Sequence, residues 1–96
     1  MKKFVLLHFG YEDPTQEVMD AWNGWFASIA DITADMGSPL KPGKEVSRTG
    51  TKDLPIGADA ITGYTIINAE DMDEAVRIAQ GCPIITGIRV YEAMSM

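Results

Sequence analysis

The chain has one cysteine, one histidine and no lysine or arginine between Lys3 and Lys41. A single cysteine excludes an internal disulfide and any zinc site built from several thiolates. A single histidine means that imidazole chemistry near neutral pH can fall only to His8. Cations are scarce throughout: eight stand against fourteen acids, for a net charge of −6. That balance argues against nucleic acid as a partner, because phosphate binding needs clustered Lys and Arg. Long apolar runs are missing too. The longest, Phe4-Val5-Leu6-Leu7, is far too short for a bilayer, so no membrane association is expected. Lys2-Lys3 before that run mimics the start of a secretory signal. Glu12 and Asp13 interrupt it, and the chain reads as a mature cytoplasmic protein. No glycine-rich phosphate cradle, Ser–His–Asp arrangement or zinc spacing occurs, so neither a metal nor another cofactor is expected.

What remains is ordinary globular material. The 96 residues are 46% hydrophobic and 23% charged, enough for one domain with one modest core. Lys3 to Phe9 reads as a strand. Asp13 and Pro14 open a helix, with Asp13 as cap and Pro14 at the first helical position. Val18, Trp22, Trp25, Ile29, Ile32 and Met36 then recur every three or four residues, predicting one helical stripe that ends at Gly37. Ser38 to Gly50 suggests a strand that begins, bends at Pro42-Gly43 and resumes. Thr51 to Ala60 reads as a loop, and Thr62 to Ala69 as a strand. Asp71 and Glu74 form a capping box for a second helix, which Gly81 and Pro83 end. Ile88 to Met94 is the last strand. The order βαββαβ predicts an α+β, ferredoxin-like sandwich: a four-stranded antiparallel sheet with both helices on one face.

The first strand does not alternate apolar with polar, as a half-exposed strand should. Phe4, Leu6 and His8 point one way, and Val5, Leu7 and Phe9 the other. Two helices cover only one face. The other would leave a contiguous apolar patch in water unless the Thr51–Ala60 loop folds over it or a second copy packs sheet to sheet. A homodimer is the more economical expectation.

Several residues can carry chemistry. His8 is either an acid–base group or a strand-end residue with a satisfied hydrogen bond. Arg89 and Tyr91 alternate with Ile88 and Val90 on the last strand. With Tyr64, they and His8 are expected to converge in the dimer cleft. One guanidinium, one imidazole and phenols suit a small carboxylate or phenolic ligand. Were the protein an enzyme, His8 would move protons without a cofactor, in lyase or proton-transfer chemistry, and Arg89 with a tyrosine would hold the developing anion. The competing reading is a non-catalytic dimer with Arg89 paired at the seam. Trp22 and Trp25 read as core. Cys82, after a helix C-terminus, reads as an inert small hydrophobe. Lys41, Lys44, Arg48 and Lys52 crowd one stretch, either as a solvated hairpin face or as a surface for an anion or a neighbour's acidic helix.

Several weak motifs fall in a suggestive order. They are the two-tryptophan helix, Gly37-Ser38-Pro39-Leu40 with Gly43, Thr62-Gly63-Tyr64, Asp71-Met72-Asp73-Glu74-Ala75 and Cys82-Pro83. Together they resemble the YCII-related, or DGPF-domain, proteins of the dimeric α/β-barrel superfamily, over almost the whole chain. The resemblance implies a ferredoxin-like fold, face-to-face dimers and a cleft between sheet and partner. The sequence departs from that pattern twice. Lys52 to Gly57 keeps only Asp53 and Pro55 of the Asp-Gly-Pro-Phe region, and the first helix lacks the histidine that some members place there.

Overall fold

A computed structural model describes residues 1–94. It is an α+β chain with a four-stranded antiparallel sheet and two α-helices. The main sheet is built from β1 (Lys2–Phe9), β2 (Thr33–Asp35), β5 (Ile61–Ala69) and β6 (Gly87–Glu92), in the spatial order β2-β5-β1-β6. The helices are α1 (Gln16–Ser28) and α2 (Met72–Gln80). This arrangement is compatible with a ferredoxin-like fold. A separate two-stranded ribbon, β3 (Gly43–Ser47) with β4 (Gly50–Leu54), interrupts it between β2 and β5.

One face of the sheet carries the core. Phe4 and Leu6 of β1 and Ile67 and Ala69 of β5 pack against Trp25 of α1, Ile29, and Ala75 and Ala79 of α2. Burial of each large side chain contributes about 1.5–3 kcal/mol. Trp25 also joins the helices, since its Nε1–H donates to the Ile78 carbonyl at 3.2 Å. Cys82 is buried within this cluster, and burial pushes its thiol up to about 12. Inertness is the expected consequence, with desolvation rather than the helix dipole as its cause.

The first helix is shorter than its apolar periodicity predicts. Its cap is Thr15, whose Oγ1 accepts from Val18 N at 3.2 Å. Asp13 precedes Pro14, a position biased away from helical geometry, and instead accepts from the Tyr11 hydroxyl at 3.0 Å. At the far end, Ser28 Oγ donates to the Trp25 carbonyl and Thr33 Oγ1 to the Ile29 carbonyl. A short 3-10 turn, Ala30–Ile32, follows and leads directly into β2. Ile32 still packs against the core from this turn, which is why the stripe continues past the helix. Met36 does not follow it inward and is 57% exposed.

The segment after β2 also differs from expectation. The strand beside β5 is Thr33–Asp35, not the Ser38–Gly50 stretch, and Thr51–Leu54 belongs to β4 rather than to a loop. Every residue of β3 and β4 is exposed. Lys44 pairs with Asp53 at 2.6 Å and Lys52 approaches Glu45 at 4.0 Å, so these two cations face acids of their own ribbon. The radius of gyration is 14.2 Å, against about 12.5 Å for a compact chain of this length.

Candidate functional site

Strand register decides what converges. His8 lies opposite Gly63 and Ile88, whereas Leu7 lies opposite Tyr64 and Arg89, and Val5 opposite Ile66 and Tyr91. Residues opposite one another share a face. His8 therefore sits on the helix-covered side with Phe4 and Leu6. Arg89 and Tyr91 sit on the uncovered side, as does the Tyr64 side chain. The expected meeting of all four in one cleft does not occur, because one residue of offset along a strand reverses the face. Arg89 instead places its guanidinium 4.7 Å from the centre of the Phe9 ring. That ring lies across Gly87, where an added Cβ would come within 2.5 Å of it.

His8 is 7% exposed. Its ring meets Trp22 and Trp25 edge to face, with centroids 5.2 and 5.9 Å away. Nε2 lies 3.0 Å from Thr65 Oγ1, and the Thr65 hydroxyl makes a long bond of 3.4 Å to the Met36 carbonyl. A hydroxyl has one proton to give. With that proton on Met36, Thr65 accepts from Nε2–H, which leaves the lone pair on Nδ1. This tautomer is assigned from the network. Nδ1 is buried and has no partner among the described residues. Burial lowers the pKa of His8 from its ordinary value, so the imidazole is neutral at pH 7.

His8 and Thr65 border a cavity of about 440 Å³ between α1 and the sheet. Val18, Trp22 and Phe26 form the α1 wall, and Gly37, Pro39 and Leu40 the opposite one. Ile56, two residues after the ribbon, and Tyr64 also border it. Gly37 is required there: its φ is +74°, and a Cβ would fall 1.7 Å from the Tyr64 carbonyl oxygen. A volume of this size accommodates a small organic molecule. Among the described residues that line it, none is a lysine or arginine.

Three parts of this site were not anticipated. Trp22 is not wholly core but half-buried, with a surface on the cavity. Thr65 follows from parity, since it lies two residues from Ile67 and opposite Leu6, on the face that His8 shares. The Gly37-Ser38-Pro39-Leu40 motif marks a turn, but nothing in it marks a cavity wall, because irregular backbone places it. No described group of three or more His, Cys, Asp or Glu side chains is arranged to hold a metal, and no described helix is long and apolar enough to cross a membrane. In comparisons with known proteins, the chain has no significant match to a family model, a curated protein or a solved structure.

Proposed function

We propose that this chain binds a small, largely apolar molecule in the cavity between α1 and the sheet, with the His8–Thr65 pair as its internal polar anchor. One observation carries the reading: an apolar-walled space of about 440 Å³ has, at its boundary, a buried neutral imidazole with a nitrogen left unpaired. Apolar pockets with a few convergent polar groups are where small ligands bind. A phenol or another weakly acidic hydroxyl compound fits better than a carboxylate, because Arg89 is on the other face of the sheet. If the ligand is a substrate, the chemistry is cofactor-free proton transfer, with His8 as the base. The frame for this reading is the YCII-related, ferredoxin-like dimer that the motifs resemble.

The open sheet face supports the dimer. Val5, Leu7, Phe9 and Ile66 share it with Tyr64, Arg89 and Tyr91, and neither helix covers them. A second copy, packed sheet to sheet, removes this patch from water. In that arrangement Arg89, Tyr64 and Tyr91 belong to the seam. The second reading, a non-catalytic binding or interaction module, rests on the same face and needs no chemistry from His8.

Thermal shift with a panel of phenols tests the ligand reading. A binder raises the melting temperature of the wild type by mass action. Val18→Trp, which puts a bulky ring on the α1 wall of the cavity, weakens the shift. A shift of full size in Val18→Trp contradicts the site. Sedimentation equilibrium tests the dimer, with a particle of twice 10.5 kDa expected and a lone 10.5 kDa particle contradicting it.

A further inference from the structure

Among the described residues, Glu12 is the one formally charged side chain on the cavity wall, and we infer that the site selects a cationic aromatic compound, such as an aryl-alkyl ammonium, over its anionic counterpart. The inference rests on the ligand reading above and names the ligand's charge. Asp13, Glu17 and Asp20 follow Glu12 on the same stretch of chain, which holds no cation between Lys3 and Lys41. Lys41, exposed and next to Leu40, is the nearest opposing charge in sequence and does not line the cavity.

The N-terminus of α1 lies close to the cavity and would ordinarily favour an anion. Here Thr15 takes up the Val18 N–H, and Glu17 occupies the first turn, so the helix end is capped and countered. An anion entering the cavity would lose water and find no cationic side chain on the described walls. A cation also loses water, but it meets a wall containing the aromatic rings of Trp22 and Phe26 and the carboxylate of Glu12. The rim is apolar as well. Tyr11, Met19 and Met36 line the cavity and are each at least 50% exposed, which suits an aromatic body extending outward.

Three matched probes test this: a naphthylmethyl trimethylammonium, naphthalenemethanol and naphthalenesulfonate. Each is titrated at low ionic strength and followed by tryptophan quenching. The cation should bind at least about fivefold more tightly than the anion, with the alcohol between them. Added salt and Glu12→Gln should each narrow the gap. Equal or tighter binding of the sulfonate overturns the charge preference and leaves the cavity reading standing. No binding by any of the three overturns both.

Discussion

His8 Nε2 lies 3.0 Å from Thr65 Oγ1, joining residues 57 positions apart across β1 and β5. Because Thr65 also reaches the Met36 carbonyl, the contact fixes more than position. It sets the tautomer, with the proton on Nε2 and the lone pair on Nδ1. Nitrogen-15 NMR of the imidazole at neutral pH should show that pattern. In Thr65→Val the Nε2–H loses a buried partner, which costs about 1–3 kcal/mol. The loss is read as a lower urea midpoint at unchanged slope.

The buried imidazole also predicts a pH dependence. The folded-state pKa of His8 is lowered, so between that value and about 6.5 the unfolded chain binds the extra proton. The stability contributed by the neutral ring is complete above about pH 6.5 and is lost as pH falls through the folded-state value. Urea midpoints measured from about pH 7.5 down to pH 5 should fall over this window. His8→Phe should flatten that part of the profile. An unchanged slope in His8→Phe would show that another group is responsible.

Gly37→Ala meets both a left-handed backbone and the Tyr64 carbonyl, at φ +74° and a Cβ distance of 1.7 Å. A loss of at least about 2 kcal/mol is expected, read as a lower melting temperature. Gly43→Ala is the control, since its Cβ would meet nothing within 4 Å.

The β3–β4 ribbon contributes no residue to the buried core. Replacing residues 43–54 with a short flexible linker should therefore change unfolding stability by less than about 1 kcal/mol. A much larger loss would mean that the ribbon supports the sheet in a way its exposure does not reveal.

Much of this was legible in the residues, and the rest was not for identifiable reasons. Strand parity alone places His8 with Phe4 and Leu6, and the same parity rule separates it from Arg89 once the register is known. Sequence does not show register, so a shared cleft was a natural expectation. The helix stripe ran too far because a 3-10 turn keeps nearly the same spacing and lets Ile32 reach the core. The charges from Lys41 to Lys52 do suggest a solvated hairpin, but its strand bounds were obscured because residues 43–54 contain few apolar positions and bury none. The wall from Met36 to Leu40 is irregular backbone, positioned by tertiary contacts at Gly37 and by the Pro39–Gly63 bridge.

The central claim is that a ligand enters between α1 and the sheet, beside His8. Backbone amide NMR during a titration with naphthalenemethanol tests it most directly. Saturable shifts at Gly37, Gly63, Thr65 and Trp22 are the predicted result. Shifts confined to Leu7, Ile66, Arg89 and Tyr91, or no saturable shift at any amide, would contradict it.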